Sequence, residues 1–390
     1  MTTPFSSERW HRAEAWIGHG VAIVDTPALV IDLDAMDRNL ARMADFAHAR
    51  GLRLRPHAKM HKSAALALLQ MAHGAVGVCV QKTDEGLALA RVGVSDIYIS
   101  NEVIAPAKLQ RLAEAVRARH TRFAIAVDSV QGIDALAAAL AHARVDKPDA
   151  IDVFIEIDVG HGRCGVPPGD AAVVLAQRLA EQPTMRFAGL QAYHGSAQHL
   201  RTPVERTQAV QHAADAVKHT LQALSAQGIE VPLVTGAGTG TFLNEASLGV
   251  WGELQCGSYL FMDADYASNQ ATPDAPVFEH ALFVKSQVIS RGAAHAVCDA
   301  GHKSHAIDSG LPTVAFPEGL SFANGGDEHG ILRTRGGLTD LPALGETVWL
   351  VPGHCDPTVN LHDFMVGVRG GLAAGVVERI VRVDARGAVG

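Results

Sequence analysis

The chain has 390 residues, 48% of them hydrophobic and 19% charged, with a formal net charge of −8. That length suits two domains rather than one core. Mild acidity without a polybasic run argues against nucleic acid or an anionic membrane as the main partner. Five scattered cysteines (Cys79, Cys164, Cys256, Cys298 and Cys355), with no C-x-x-C pair, point to reduced thiols rather than a disulfide framework. The opening "MTTPFSSERWHRAEAW" lacks the basic-then-apolar order of a signal peptide. No run of about 18 uncharged apolar residues follows, so a soluble cytoplasmic protein is expected.

In chain order, short β-branched runs alternate with alanine- and leucine-rich stretches. The candidate strands begin with "ALVIDL" (28–33), "LRLRPH" (52–57), "GVCVQ" (77–81), "DIYISN" (96–101) and "FAIAVD" (123–128). They continue with "IDVFIEID" (151–158), "FAGLQAYH" (187–194), "PLVTG" (232–236) and "ELQCGSY" (253–259). Helical patterns such as "AMDRNLARMADFAHAR" lie between them, and "PVERTQAVQHAADAVKHTLQALSAQG" ends on Gly228 as a helix terminus should. Strands alternating with helices imply parallel β/α units. If "ALVIDL" belongs elsewhere, eight strands from 52 to 259 remain, the count of a (β/α)8 TIM-like barrel; an open doubly wound sheet is the alternative. After about residue 278 the texture becomes β-rich runs broken by Gly, Pro and Asp, from "HALFVKSQVIS" through "ILRTRGG" and "ETVWLVPG" to "VVERIVRVDARG". The expected organisation is a barrel over 34–270 and a C-terminal all-β domain over 271–390, joined by the N-terminal strand within 1–33.

Barrel active sites lie at the C-terminal ends of the strands. The first strand runs into "RPHAKMHKS" (55–63), which crowds Arg55, His57, Lys59, His61 and Lys62 into one turn. The third leads to Asn101 and Glu102, and the fifth to "EIDVGHGRCGV" with Asp158, His161 and Arg163. The sixth leads to Tyr193, His194, Gly195 and Ser196. After the seventh comes "TGAGTGTF" (235–242) and after the eighth "CGSY" (256–259). Glycines let backbone N–H groups approach a phosphate, and Thr239, Thr241 and Ser258 add hydroxyls. Gly-rich turns are common in loops, but two of them after strands 7 and 8 fit the usual barrel phosphate position. A phosphate site plus a strand-end lysine suggests pyridoxal phosphate held as a Schiff base. Position alone does not decide between that role and solvated lysines for Lys59 and Lys62.

"TVWLVPGHCDP" carries a second signal. In extended chain, residues i and i+2 share a face, so His354 and Asp356 are able to share one ion while Cys355 points away. One imidazole and one carboxylate suit Mn2+, Zn2+ or Mg2+. An Asp that merely caps the turn before Pro357 is the plainer reading of the same residues.

Taken together, "TPALVIDLDAMDRNL", "RPHAKMHKS", "VCVQK", "SNEV", "EIDVGHGRCGV", "LQAYHGS", "ELQCGSYLFMDADY" and "VPGHCDPTVNLHD" resemble the D-threonine aldolases and D-3-hydroxyaspartate aldolases. These are alanine-racemase-like (fold type III) pyridoxal phosphate enzymes. The resemblance runs from about residue 25 to the C-terminus and implies the barrel of alanine-racemase type plus a C-terminal β domain. It makes Lys59 rather than Lys62 the Schiff-base lysine, and Arg163 the partner of the cofactor's phenolic oxygen. Cofactor contacts are expected from Gln81, Tyr193, Thr235, Gly238, Thr239, Gly240, Gly257, Ser258 and Tyr259. His354 and Asp356 become ligands of a divalent cation, Mn2+ foremost, with Zn2+, Mg2+ or Co2+ as alternatives. Related D-serine dehydratases look like H-x-C at that place, so Asp356 favours the aldolase. His194 is implied to act through a metal-bound water as base toward the substrate's β-hydroxyl.

The implied reaction is retro-aldol cleavage of a small D-β-hydroxy-α-amino acid to glycine and an aldehyde. Dehydration of D-serine or a hydroxyaspartate would use the same lysine, and racemisation would need no metal. Pyridoxal phosphate homeostasis proteins resemble the barrel but lack a second domain. The resemblance also implies a homodimer. The duties of His57, His61, Arg55 and Lys62, and the choice between threonine and hydroxyaspartate, stay open.

Overall fold

The computed structural model describes residues 7–272, 274–335 and 340–390; the Gly336-Gly337 end of "ILRTRGG" lies outside them. The chain divides into two compact units. One comprises Met43–Gly257, Asn269–Pro276 and Gly387–Gly390. The other comprises the described residues up to Arg42, then Ser258–Ser268 and Val277–Arg386.

In the first unit, eight parallel strands follow the order Arg53–Leu54, Glu253–Leu254, Val234–Gly236, Met185–Ala192, Ile151–Glu156, Arg122–Val127, Asp96–Ile99 and Val78–Val80. The ring closes between the two ends of that list. Val76 N–H donates to Leu54 O and Cys79 N–H to Pro56 O, each at 2.9 Å, and His57 bridges Cys79 in parallel register. A doubly wound sheet would leave both edges open, so the barrel is the correct architecture.

Strand periodicity explains the two apolar layers. Val78, Val80, Ile97, Ile99, Phe123, Ile125, Val153 and Ile155 pack in one buried cluster with the helices' apolar residues. The residues of opposite parity, Cys79, Tyr98, Ala124, Ala126 and Phe154, form a separate cluster. Beside the latter runs a buried polar network. Tyr98 OH donates to Gln191 Oε1 at 3.0 Å, and Gln255 Nε2 donates to Gln191 Oε1 and Thr235 Oγ1 at 2.7 and 2.8 Å. Thr235 Oγ1 in turn donates to Glu253 Oε1 at 2.9 Å.

The second unit is built on a nine-stranded sheet. Strand Ala28–Asp32 lies at its centre, antiparallel to Leu282–Arg291 and parallel to Phe364–Arg369. Thr347–Val351 pairs with Leu282–Arg291 and with Thr313–Phe316, and Phe364–Arg369 pairs with Val376–Arg382. The unit also carries the helix Ser7–Glu14, which the reading of the N-terminus as strand alone did not include. Among the described residues no helix is long and apolar enough to cross a membrane.

Gly189 shows how closely the barrel strands approach. It sits inside Met185–Ala192 with φ +137°, opposite a register shift between Val153 and Phe154, and a Cβ there would stand 1.8 Å from Leu233 O. Gly189→Ala is expected to destabilise the protein by about 3 kcal/mol or more, read as a lower urea midpoint, because both backbone strain and a backbone clash oppose it.

Candidate active site

The first barrel strand stops at Leu54 and the chain turns at once into a 3-10 helix, Ala58–Met60. His57 is its N-cap, with Nδ1 facing Lys59 N–H at 3.4 Å and Nε2 lying 3.1 Å from Gln81 Nε2 and 3.3 Å from Ser100 Oγ. Burial pushes the His57 pKa well down, and the charges of Lys59, His61 and Arg163 push it the same way. Its imidazole is therefore a neutral polar support that ties the ends of the first three strands together. His61 is fully buried; its Nδ1 accepts from Ser63 N–H at 3.1 Å and its Nε2 meets Gln70 Oε1 at 3.2 Å, the pattern of a satisfied core histidine. Lys62 is buried with its Nζ 3.1 Å from Glu85 Oε1. The other oxygen of Glu85 accepts from Gln81 N–H and Lys82 N–H, both at 3.0 Å, closing the start of helix Thr83–Arg91. Lys59 is half-buried in the turn itself.

The turns after the fifth and sixth strands interlock. Asp158 Oδ1 accepts from Gly160 N–H and Gly162 N–H at 2.9 and 3.0 Å. A Cβ on Gly160 would stand 3.0 Å from His194 Nε2, and one on Gly195 would stand 2.8 Å from the His161 ring. Each histidine thus packs over the glycine beside the other. His161 Nδ1 accepts from Ser196 N–H at 3.0 Å, and His194 Nδ1 lies 3.3 Å from Ser196 Oγ. Burial lowers the pKa of both; Arg163 and His194 lower that of His161 further, while Asp158 opposes the shift in His194. The exposed Arg163 guanidinium carbon lies 6.0 Å from the half-buried Tyr193 ring centroid.

Two carboxyl groups at strand ends went unused in the sequence reading. Glu156 is buried at the end of Ile151–Glu156, and both oxygens of Glu102 are buried and accept no hydrogen bond. Burial first, and then the adjacent Glu102, push the Glu156 pKa far above the usual carboxylate range, while Arg163 pulls it back. Glu156 therefore keeps its proton at neutral pH. A Glu ending an apolar run such as "IDVFIE" is the signal that could have found it.

Beyond the seventh strand, Gln198 organises the Gly-rich turn. Its Oε1 accepts from Gly240 N–H at 2.9 Å, and its Nε2 donates to Thr241 Oγ1 at 2.7 Å and His194 O at 3.2 Å. A Cβ at Gly238 would stand 2.4 Å from Gln198 Oε1, so the turn needs glycine to come this close. Thr241 Oγ1 donates onward to Glu245 Oε1 at 2.7 Å, which commits the hydroxyl that the sequence offered to a phosphate. Thr235 is likewise spent in the barrel's polar network, and the Gly240 amide is spent on Gln198. Gly238 and the buried Thr239 keep their place in the turn, and Gly257 passes so near His57 O that a Cβ would stand 2.7 Å away. Ser258 and Tyr259 fall in the other unit, in the 3-10 helix Ser258–Leu260. The amine, the guanidinium and the glycine turns form a donor set that fits an anionic aldehyde cofactor.

The β-rich unit holds the His354–Asp356 pair. They meet in a different way from the extended chain expected: His354 is extended (φ −143°, ψ 126°) but caps a short helix, Cys355–Val359, so Asp356 lies in that helix's first turn. Pro357 is tolerated there because an early helical position needs no N–H donor. His354 Nε2 is 3.6 Å from Asp356 Oδ1, and that oxygen is buried and accepts no hydrogen bond. Cys355 does point away: it is buried, its N–H donates to Asp263 Oδ2 at 3.0 Å, and burial raises its thiol pKa well above normal. Burial disfavours a charged His354, but Asp356, Asp308 and Asp263 outweigh it and raise the pKa. Among the described residues no group of three or more His, Cys, Asp or Glu side chains is disposed to hold a metal ion. An imidazole nitrogen and a buried carboxylate oxygen 3.6 Å apart are a donor set that fits a cation keeping other ligands for itself.

Comparison with known proteins bears on both units. Residues 31–265 match the family model "Alanine racemase, N-terminal domain", and residues 281–368 match "Putative serine dehydratase domain". The chain is 42% identical over 371 residues to a 3-hydroxy-D-aspartate aldolase of Paracoccus denitrificans (strain Pd 1222), covering 93% of this chain and 92% of that one. It is 43% identical over 372 residues to a D-threonine aldolase of Arthrobacter sp, covering 95% of each. The crystal structure of a D-threonine aldolase from Filomicrobium marinum matches with a TM-score of 0.91 at 48% identity, covering 96% of this chain and 99% of that one.

The raised Glu156 pKa has a stability consequence of definite sign. The folded state keeps a proton that the unfolded chain releases above the ordinary carboxylate range, so this residue's contribution falls as pH rises from there toward its folded pKa. Urea unfolding at about pH 6 and about pH 8 should show Glu156→Gln losing less stability between the two than the parent. The difference is bounded by about 1.4 kcal/mol per pH unit for one proton.

Proposed function

This chain belongs to the D-threonine and 3-hydroxy-D-aspartate aldolase family, and on that premise we propose that it cleaves D-β-hydroxy-α-amino acids to glycine and an aldehyde, using pyridoxal phosphate and a divalent cation. The observation that supports the residue assignment is where two lysines three positions apart lie. Lys59 is half-buried in the turn at the end of the first strand, where the family resemblance puts the covalent lysine, whereas Lys62 is buried against Glu85.

When bound, pyridoxal phosphate supplies an electron-withdrawing ring that accepts the bonding pair from Cα–Cβ cleavage, and the cation supplies Lewis acidity toward the substrate hydroxyl. The chain's own residues do the rest. Lys59 would hold the cofactor covalently. Arg163 would orient it through its phenolic oxygen, Tyr193 and Gln81 would contact it, and the turns at Gly238, Thr239 and Gly257 would receive its phosphate. His194 is kept neutral by burial, so at neutral pH it is able to take the β-hydroxyl proton as the aldehyde leaves. A proton returned to Cα completes glycine. His354 and Asp356 would hold the cation; an imidazole and a carboxylate, with the buried Cys355 thiol facing Met262 O at 3.4 Å, suit Mn2+ better than a soft metal.

Lys59→Ala should lose the visible absorbance of lysine-bound cofactor and at least about 1,000-fold in glycine release. Full activity in that variant would overturn the assignment. Lys62→Ala should retain the cofactor signal while losing about 3 kcal/mol of stability, because it strands the buried Glu85 carboxylate.

Asp356→Ala should bind cofactor normally yet lose about 100-fold or more of its Mn2+-stimulated cleavage. A panel of D-threonine, L-threonine, D-serine and 3-hydroxyaspartate, with and without Mn2+, should give glycine from the D-β-hydroxy acids. Pyruvate or oxaloacetate with ammonia as the main products would instead identify a dehydratase.

A further inference from the structure

We propose that Asp308 is a positioning residue for the cation site, holding the His354 ring so that Nε2 is the nitrogen offered to the metal. The inference rests on the reading of His354 and Asp356 as the cation's ligands. His354 Nδ1 lies 2.7 Å from Asp308 Oδ2, whereas Nε2 faces the buried Asp356 Oδ1 at 3.6 Å. A neutral imidazole that gives one nitrogen to a metal must carry its proton on the other, and a carboxylate on that N–H fixes both tautomer and ring orientation. Asp308 supplies that acceptor on the face away from Asp356. The same Oδ2 also accepts from Ser309 Oγ at 2.9 Å, which restrains the carboxylate.

The contact is built in rather than incidental. Thr358, fully buried in helix Cys355–Val359, donates from its hydroxyl to His354 O at 2.7 Å and accepts from Ala306 N–H at 3.0 Å. One residue thereby fastens the segment that carries Asp308 to the helix that carries Asp356. His362 Nε2, 2.8 Å from Ser304 O, adds a second stitch two residues upstream of Ala306. An exposed ion pair left to itself is worth little, but one whose two backbones are fixed to each other loses little entropy on forming. The sequence reading took "HCDP" as the whole site, and Asp308, 46 positions earlier, had no pattern to mark it.

The test uses the full-length protein with its cofactor and measures Mn2+ affinity by chelator competition. Asp308→Ala is expected to bind Mn2+ about 10- to 100-fold more weakly than the parent, with cofactor absorbance unchanged. Asp308→Asn, whose amide oxygen still accepts from Nδ1–H, should fall between the two and serves as the working variant if the alanine form folds poorly. Mn2+ affinity within about threefold of the parent in both variants would overturn the role of Asp308. His354→Ala separates the two levels of the argument. If it loses Mn2+ while the Asp308 variants do not, only the positioning role fails. If it binds Mn2+ as the parent does, the ligand assignment falls and the inference with it.

Discussion

The barrel closes around one buried guanidinium. Arg55, on the chain leaving the first strand, donates from Nε to Glu253 Oε1 on the last strand at 3.1 Å and pairs with Asp96 on the third. Glu253 is completely buried, so removing Arg55 would strip one cation from an interior carboxylate and leave it Arg53 Nε, 3.0 Å from Oε2, and the Thr235 hydroxyl as partners, a larger penalty than loss of a surface pair. Gly77 is part of the same arrangement: a Cβ there would stand 2.5 Å from Arg55 Nη1. The first strand is only two residues long. Its ladder is too short to hold the ring by itself, and the ion cluster supplies the rest.

That constraint reaches the chemistry directly. Because Arg55 is fixed, the turn that follows it starts from a fixed point, and every group in the next eight residues inherits the geometry. His57 reaches the ends of the second and third strands, His61 is tied to Gln70, and Lys62 to Glu85. The basic crowding in "RPHAKMHKS" is thus mostly structural. Arg55 and Lys62 pair with buried carboxylates, and the two histidines are hydrogen-bonded supports. Lys59 is the lysine of this turn to which we assign the chemistry. Similar economy governs the far side of the mouth, where Gln198 joins the turn bearing His194 to the Gly-rich turn through three hydrogen bonds. Preorganisation of this kind is what a reacting centre needs from its scaffold.

What the sequence made legible followed from local periodicity. Eight β-branched runs with helical patterns between them read correctly as a barrel, since alternation of side chains across a strand needs no tertiary information. Its limits were equally physical. Thr241 looked like a phosphate donor and Thr235 like a cofactor contact, but hydroxyls in such turns bond to whatever polar partner the fold brings near, here Glu245 and Glu253. Those partners come from other elements, and no spacing rule relates them. His354 and Asp356 were paired for a strand-like reason, whereas the structure pairs them through a helix start, because a Pro two residues after Cys355 suits an opening helical turn. The Glu102–Glu156 pair was invisible for the same reason as the threonines: each residue was seen, but their approach depends on the curvature of the barrel.

His354 differs from the histidines of the barrel mouth, and that contrast follows from what surrounds the rings. At the barrel mouth, burial lowers the pKa of His57, His161 and His194, and nearby cations add to it at the first two, which favours the neutral state in which an imidazole accepts protons. In the β-rich unit, Asp263, Asp308 and Asp356 create a field around His354 that favours positive charge. Under the proposed reading of His354 and Asp356 as ligands, a field of that sign would favour a divalent cation more strongly than a single proton, since the interaction scales with the charge. The basic turn at residues 55–63 and the acidic surround of His354 thus differ in sign, as the proposed roles of an anionic cofactor at the first and a cation at the second would each require.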